Sequence, residues 1–435
     1  MHTFKLPQDF MFGTATASVQ IEGGDTNNNW FRFCEEGKTK DKSHCIVAAD
    51  HWNRYEEDIR LMTELNQQTY RMSIEWSRIE PSRGVYNEEA IHHYRDELQL
   101  LLKNHIRPLI TIHHVTNPLW FEDMGGWANP DSIAIFKSFA EKAVLSFGDL
   151  VSDWVTINEP NVYLEGAYAG ANFPPQEPSL KKYFRGARNM ILAHIEVYRM
   201  IHRIRKEKNF DGKTLVGVAH HVRVFDPADD NPSARFACNL ANYSFHKIFF
   251  EGMTNGKVMF PIGTGSYPLG KGKYSDFIGI NYYTRDIVKF TWDPTRLFGE
   301  FTVNKGAKLN DMGWEIYPEG LYRLCKEYWL KYQLPVFILE NGICDHEDKQ
   351  RAKFIYDHFE MIKKLLDEGV PVERYYHWSL IDNFEWDEGL TPRFGLIEVD
   401  YETQKRTIRK SGYFYGELTK NKGITEEMLR TYFAT

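Results

Sequence analysis

The sequence predicts an α/β fold, a single (β/α)8 TIM barrel in which residues 1–435 form one domain. Short β-branched runs alternate with longer amphipathic stretches along the whole chain, a pattern typical of strand–helix units around a parallel sheet. No low-complexity segment, linker-like stretch or close repeat interrupts it. The alternative is a doubly wound open sheet, but no G-x-G-x-x-G motif follows the first strand to support a dinucleotide site.

Eight short runs rich in Val, Ile and aromatic residues are the strand candidates. They are Phe10–Ala15, Thr69–Ile74, Pro108–His113, Trp154–Asn158, Leu215–His220, Phe277–Tyr282, Val336–Leu339 and Arg374–Trp378. The stretches between them repeat apolar residues at the spacing of one helix face. Clear cases are Tyr55, Ile59 and Met62; Ile91, Tyr94, Leu98 and Leu101; and Ile133, Phe136, Ala140 and Val144.

Composition narrows the function and the compartment. The formal charge is −7 and no basic block occurs, which disfavours nucleic acid and anionic membrane surfaces as partners. No apolar run is long enough to span a membrane, and the N-terminus lacks the pattern of a secretory signal, so we expect a cytoplasmic protein. The five cysteines are scattered without a C-x-x-C motif, which predicts free thiols rather than disulfides or a zinc site: Cys34, Cys45, Cys238, Cys325 and Cys344.

Polar and aromatic side chains gather where the predicted strands end, which is the functional face of such a barrel. They are Gln20, Glu22, Arg71, His113, His114, Asn158, Glu159, Asn281, Tyr283, Glu340, Asn341, Trp378, Glu385 and Trp386. Carboxylates and amides can bind sugar hydroxyls, and indole rings can stack on the apolar face of a pyranose. The mixture favours a carbohydrate site, although buried tryptophans are also ordinary core residues.

Two glutamates end two of these strands, Glu159 in VTINEP and Glu340 in FILENG. Either one alone could be a helix cap or a solvated strand end, but two that face each other across a barrel mouth are the machinery of glycoside hydrolysis. Strict strand alternation would send Asn158 and Glu159 to opposite faces, so a shared site requires a bulge or sharp bend next to Pro160.

Arg71 lies inside a predicted buried strand, where a charge needs an anionic partner. Glu340 is one candidate, and structural pairing with Glu75 or Asp58 is the alternative. Adjacent histidines such as His113 and His114 point to opposite faces of a strand, and no H-x-H or H-E-x-x-H motif occurs, so we expect no metal site. We expect the first of these histidines to pack and the second to bind a substrate hydroxyl.

The motifs together resemble glycoside hydrolase family 1, the retaining β-glucosidases and β-galactosidases. They run through FMFGTATASVQIEGG, YRMSIEWSRIEP, WVTINEP, DFIGINYYT, DMGWEIYPEGLY, FILENG and HWSLIDNFEWDEGLTPRFGLIEVDY. The resemblance implies an eight-stranded barrel without a cofactor, with Glu159 as acid/base, Glu340 as nucleophile, and Arg71 and Tyr283 holding the nucleophile. The substrate-binding positions it implies, together with the strand-end residue Asn281, are Gln20, His114, Asn158, Asn281, Trp314, Trp378, Glu385 and Trp386.

The implied substrate is a small β-glycoside or short oligosaccharide with a terminal β-D-glucosyl residue; galactosyl and fucosyl residues stay open. A retaining mechanism needs an ionised Glu340, favoured by Arg71 and Tyr283, and a protonated Glu159 whose pKa is raised by burial and by Glu340. The alternatives are a sugar-binding barrel without turnover, a mainly transglycosylating enzyme and a metal-dependent barrel hydrolase. The sequence does not predict an oligomeric state.

The chain departs from the family pattern at two places. Val115-Thr116-Asn117-Pro118 replaces the usual Trp-Asp-Leu-Pro, so an aromatic wall beside the sugar is missing or comes from elsewhere, and the region from Phe249 to Lys273 is shorter than usual. The phospho-sugar branch of the family has Ser at the Glu385 position and Lys and Tyr further along, where this chain has Pro392 and Phe394. We therefore expect an unphosphorylated substrate.

Overall fold

A computed structural model describes residues 1–266 and 271–433. Eight parallel strands form a closed barrel in which each strand pairs with the next and the last pairs with the first. The strands are β1 (Met11–Ala15), β2 (Thr69–Ser73), β3 (Arg107–His113), β4 (Asp153–Asn158), β5 (Leu215–Pro227), β6 (Ile278–Phe290), β7 (Val336–Asn341) and β8 (Val372–Trp378). The predicted (β/α)8 barrel and its eight strands are confirmed.

Two strands are much longer than the sequence pattern indicated. β5 and β6 continue beyond the barrel as a paired ribbon, in which residues 224–227 pair with residues 285–288. The strand Gly299–Thr302 adds to this ribbon antiparallel to β6. The extension has mixed rather than continuous apolar character because it leaves the core, and for that reason its end was not visible in the hydrophobic pattern.

Helices surround the barrel. They are α1 (His51–Glu64), α2 (Glu88–Lys103), α3 (Ser132–Phe147), α4 (Leu180–Glu207), α5 (Pro232–Asn242), α6 (Ile248–Asn255), α7 (Pro318–Tyr332), α8 (Arg351–Asp367), α9 (Lys410–Asn421) and α10 (Glu426–Phe433). The predicted apolar faces of α1, α2 and α3 are largely buried. Asn87 caps α2 by accepting hydrogen bonds from the backbone N–H groups of Glu89 and Ala90.

Short strand pairs and short helical segments complete the fold around the barrel. Small antiparallel pairs join Phe4–Lys5 to Gly423–Ile424, Lys257–Val258 to Gly265–Ser266, and Ile397–Val399 to Arg406–Ile408. Short helical segments are Ser18–Ile21, Asn29–Glu35, Trp76–Ile79, Leu119–Asp123, Gly126–Ala128, Pro160–Leu164, Glu165–Ala169, Tyr243–Lys247, Pro294–Arg296 and Trp386–Glu388. Within residues 1–266 and 271–433, no helix combines the length and apolar character needed to cross a membrane.

Candidate active site

A cavity of about 280 Å³ lies at the C-terminal ends of the barrel strands. Glu159, directly after β4, and Glu340, in β7, both line it. Other residues that line it are His114, Val115, Asn158, Phe173, His221, Arg223, Tyr283, Trp314, Trp378, Glu385, Trp386 and Phe394. The fold therefore brings the two glutamates of the sequence motifs into one pocket with most of the predicted sugar-binding side chains.

The bend that lets Asn158 and Glu159 share the pocket is present. Glu159 adopts a left-handed backbone (φ 44°, ψ 57°), and its N–H donates to the Ala219 carbonyl at 2.8 Å. The pairing of β4 with β5 shifts register just before this point. Pro160 then starts a short helix, where its missing N–H and fixed φ are tolerated. The strand-end proline of VTINEP thus marks a turn that redirects the glutamate into the cavity.

Glu340 lies at a similar irregularity. The register of β7 shifts between Ile338 and Glu340 against β6, and between Ile338 and Asn341 against β8. The next residue, Gly342, approaches the backbone of Trp378 so closely that a Cβ atom would collide with that carbonyl group. The glycine of the FILENG motif is required because β7 and β8 come together here, next to the carboxylate.

Arg71 is completely buried and pairs with Glu340. Its Nη1 lies 2.6 Å from Glu340 Oε1, and its Nη2 donates to Asn158 Oδ1 at 2.5 Å. The alternative partners are engaged elsewhere: Glu75 accepts from serine and threonine hydroxyls, and Asp58 binds a histidine and another arginine. The buried charge is therefore compensated within the cavity wall, as one of the two sequence-based alternatives expected.

Tyr283 completes the support of Glu340, because its hydroxyl donates to Glu340 Oε2 at 2.6 Å. Burial raises the pKa of Glu340 to about 7; Arg71 and the tyrosine hydroxyl oppose this shift, and the charge of Glu159 adds to it. In the free protein, Glu340 is therefore partly protonated at neutral pH.

Glu159 is held by His221, which was not predicted as a site residue, and by Asn281, which was predicted to bind substrate. His221 Nδ1 lies 2.8 Å from Glu159 Oε1, and Asn281 Nδ2 donates to the same oxygen at 2.9 Å. Arg223 Nε donates to His221 Nε2 at 3.1 Å, so the ring proton must be on Nδ1 and is donated to Glu159. Arg223 is itself paired with Asp286 at 3.2 Å.

These donors overturn one sequence-based expectation. Burial acts to raise the pKa of Glu159, but the interaction with His221 and the hydrogen bond from Asn281 hold it below its ordinary value. The expected rise in the pKa of Glu159 is wrong for the free protein, whereas Arg71 and Tyr283 act on the pKa of Glu340 in the expected direction. His221 was not predicted as a site residue, although it lies directly beyond the C-terminal end of the fifth predicted strand.

Four buried polar atoms around the cavity have no hydrogen-bond partner within the part of the chain that the structure describes. They are Gln20 Oε1, His114 Nδ1, Asn281 Oδ1 and Glu385 Oε2. His114 Nε2 lies 3.1 Å from Asn158 Nδ2 and accepts from it, so its Nδ1 carries the proton and is a donor. Unpaired buried polar atoms are costly, and this set of one donor, two acceptors and a carboxyl oxygen matches a ligand rich in hydroxyl groups, which both donate and accept.

Aromatic rings form two walls of the cavity. Trp378 and Trp386 lie nearly parallel to the His114 ring, with centroid distances of 6.0 and 6.1 Å. On another side, Trp314 lies 5.8 Å from the Tyr283 ring and 6.1 Å from Phe394. The three predicted tryptophans therefore line the site itself and are not core residues far from it.

The unusual Val115-Thr116-Asn117 segment places only Val115 against the cavity. The other two side chains face protein: Thr116 donates to Glu75, and Asn117 donates to Glu122 and Tyr163. An aromatic ring from another segment, that of Phe173, lines the cavity instead. Its centroid lies 6.5 Å from that of the Trp386 ring. None of the described residues of the shorter region 249–273 lines the cavity, and residues 267–270 of that region lie outside the described chain.

Three polar residues at the predicted strand ends have structural roles. His113 points away from the cavity and accepts from Trp127 Nε1 at 3.1 Å. Glu22 pairs with Arg78, and Asn341 donates to the Tyr282 carbonyl. His113 is thus packed within the protein, as expected, and His114 lines the cavity.

A (β/α)8 barrel with two opposed carboxylates, a buried arginine and aromatic walls at its C-terminal face defines the class of carboxylate-dependent glycoside hydrolases. The family model of Glycosyl hydrolase family 1 matches residues 2–424, and the chain belongs to this family. It is a glycoside hydrolase.

Known relatives align over their whole lengths. β-Glucosidase A of Thermotoga maritima is 33% identical over 469 aligned residues, which cover 98% of this chain and 100% of the relative. A β-galactosidase of Pyrococcus woesei is 30% identical over 512 residues, covering 98% and 99%. The solved β-glycosidase from Pyrococcus horikoshii has a TM-score of 0.92 at 37% identity, covering 100% of this chain and 99% of its own.

Proposed function

We propose that the protein is an exo-acting, retaining β-glycosidase that releases a terminal β-D-glucosyl residue through a covalent intermediate on Glu340. The observation that carries the proposal is that Glu159 and Glu340 line one cavity and are joined through Arg71, Asn158 and Asn281 by hydrogen bonds. The cavity volume of about 280 Å³ is near the lower end of ligand pockets, which suits one or two sugar units.

For the first step, the two carboxyl groups together carry one proton, and that proton must be on Glu159. The two buried carboxyl groups titrate as a coupled pair that shares this proton. When it is on Glu159, the Glu340 carboxylate attacks the anomeric carbon, while Glu159 donates its proton to the glycosidic oxygen as the bond to the leaving group breaks. His221 and Asn281 then stabilise the new Glu159 carboxylate.

The second step reverses these roles. Once Glu340 is an ester, its negative charge is gone, and ionised Glu159 can take a proton from water. The oxygen of that water attacks the anomeric carbon, the bond to Glu340 breaks, and the carboxylate regains its hydrogen bonds from Arg71 and Tyr283. Two displacements at the same carbon retain the β configuration.

We propose that the sugar hydroxyls bind the unpaired atoms of Gln20, His114, Asn281 and Glu385, that Asn158 binds the 2-hydroxyl, and that the sugar ring stacks on the tryptophan wall. The names of the relatives support both a glucosidase and a galactosidase activity. The T. maritima β-glucosidase has been solved with glucoimidazole and with galacto-hydroximolactam. These names support a small glycoside as the substrate, with a preference at the 4-hydroxyl that must be measured.

We propose an unphosphorylated sugar, mainly because the described residues that line the cavity offer no unpaired lysine or arginine. Burial and the charges of Glu340 and Glu159 raise the pKa of Glu385 to about 8, so direct repulsion by an ionised Glu385 is weak at neutral pH. Among the described residues that line the cavity, Arg223 is the one lysine or arginine, and it is already paired with Asp286. A phosphate dianion would lose its hydration there without gaining an unpaired cation.

The test is a rate panel on aryl β-D-glycosides that differ at C2, C4 and C6, including the 6-phosphoglucoside, with the first-formed anomer read by NMR. We expect turnover of unphosphorylated substrates and a β product. An α product, or comparable rates on the 6-phosphoglucoside, would contradict the proposal. Sugar binding without turnover would support the non-catalytic alternative, and products glycosylated on an added alcohol would measure transglycosylation.

Since the family match covers residues 2–424, we propose that residues 1–435 act as one catalytic unit.

A further inference from the structure

Three possible metal ligands meet outside the cavity. Cys34 ends a short helix (Asn29–Glu35), and His44 and Cys45 follow about ten residues later. One ligand atom from each residue lies within 4.8 Å of the others. Both thiols are buried, and the His44 side chain is partly exposed at the surface. The spacing of these residues matches none of the common zinc motifs, so the sequence predicted free thiols and no metal site.

We propose that Cys34, His44 and Cys45 form a zinc site. Two thiolates and an imidazole are preferred ligands of Zn²⁺, which binds sulfur at about 2.3 Å and nitrogen at about 2.0–2.1 Å in tetrahedral geometry. Ligand atoms around such an ion are roughly 3.5–3.8 Å apart by the same geometry. The observed grouping within 4.8 Å therefore needs only a small contraction to hold the ion.

The surroundings of His44 match those of a metal ligand. Its Nε2 lies 3.0 Å from Glu35 Oε1, and its Nδ1 accepts from the Ile46 N–H at 3.0 Å. The ring proton is therefore on Nε2 and is held by a carboxylate, as is usual for metal-bound histidines, and the lone pair is on Nδ1. The ion would take the place of the Ile46 N–H at this lone pair.

Zinc binds cysteine as the thiolate, so binding of the ion would release the protons of the two thiols. Water can supply the fourth ligand, since His44 lies at the surface.

The residues between the ligands, 35–43, would connect the ion to the loop 385–391, part of which lines the cavity. The Lys40 N–H donates to the Asp387 carbonyl at 2.8 Å, and the Asp41 carboxylate accepts from the backbone N–H groups of Leu390 and Thr391 at 2.8 and 2.9 Å. These residues directly follow Glu385 and Trp386, which line the cavity. An ion that joins Cys34 to Cys45 would fix both ends of this segment and so reduce the mobility of the loop bonded to it.

The experiment uses the full chain, purified with reductant, stripped with a chelator and titrated with Co²⁺ as a spectroscopic substitute for Zn²⁺. We expect one equivalent to bind with sulfur-to-cobalt charge-transfer absorption and to be displaced by Zn²⁺. Cys34→Ser, Cys45→Ser and His44→Ala should each lose stoichiometric binding, while Cys238→Ser, a buried cysteine elsewhere, should keep it. Glu35→Gln should weaken binding about 10- to 100-fold, as expected for loss of a group that orients a metal ligand.

Three results would overturn the proposal: no charge-transfer absorption in the wild-type protein, the same absorption in Cys34→Ser and Cys45→Ser, or a Cys34–Cys45 disulfide that persists under reductant. If a cysteine variant does not fold, His44→Ala decides, because its side chain is partly exposed. Added Zn²⁺ should lower KM in the wild type and leave it unchanged in His44→Ala, with kcat similar in both. This outcome is independent of which glycoside is the substrate.

Discussion

Tyr283→Phe removes one hydroxyl and leaves the ring between Trp314 and Phe394. The lost bond, 2.6 Å from Tyr283 Oη to Glu340 Oε2, has the length of a charge-assisted hydrogen bond. Hydrogen bonds to charged groups contribute about 1.5–3 kcal/mol. Since about 1.4 kcal/mol corresponds to a tenfold change in rate, we expect kcat/KM to fall about 10- to 150-fold.

Tyr283→Phe should also shift the pH dependence of kcat/KM in a defined direction. The tyrosine hydroxyl lowers the pKa of Glu340, so its removal raises that pKa above the wild-type value of about 7. The productive form carries one proton on the pair and is lost as pH rises through the upper pKa. The alkaline limb of kcat/KM should therefore move to higher pH, while the maximum falls.

The matched control is Tyr282→Phe on the same strand. Tyr282 donates to the Tyr317 carbonyl at 2.6 Å and does not line the cavity, so its loss should cost about 1 kcal/mol of stability and leave the pH profile unchanged. The assay is initial-rate kinetics on an aryl β-glycoside across pH, with unfolding followed by circular dichroism. Equal effects of the two substitutions, or a shift of the acidic limb alone in Tyr283→Phe, would refute the reasoning.

Three further substitutions test the carboxylate pair. Glu340→Ala should lower kcat by several orders of magnitude, and added azide should restore turnover with an inverted α-glycosyl azide as product; recovery of a β product by NMR would contradict its role as nucleophile. Glu159→Ala should slow glycosides with poor leaving groups far more than activated aryl glycosides, because only the former need a proton; equal losses across a leaving-group series would count against it as the acid. His221→Ala removes a donor that favours ionised Glu159, so the lower pKa of the pair and with it the acidic limb should move to higher pH, whereas His220→Ala on the opposite face of the strand should leave it in place; pH–rate profiles of both variants check this.

Sequence patterns predicted those parts of the molecule that depend on neighbouring residues. The strands were found because buried parallel strands are continuous apolar runs, and their ends differed from the structure mainly where β5 and β6 leave the core. The two glutamates were found because each ends such a run. The bend at Glu159 was inferred only because two adjacent side chains needed one pocket, and the left-handed backbone there confirms it.

The hydrogen bonds around Glu159 could not be predicted in this way. His221 and Asn281 reach Glu159 from two other strands, Arg223 contacts it only through His221, and no local pattern encodes a distance of 2.8 Å across 62 residues. The ring of Phe173 that reaches the cavity beside Val115 depends in the same way on a segment distant in sequence.

By itself, the sequence determined the eight-stranded barrel, the pair of carboxylates and the chemistry of the family, because periodicity and strand ends are properties of short segments. Only the tertiary structure decided which side chains hold Glu159, which aromatic ring completes the cavity, and that Cys34 lies beside His44 and Cys45. Each of these depends on distances and burial that arise when separate segments pack, and burial and nearby charges are what set the pKa of a side chain.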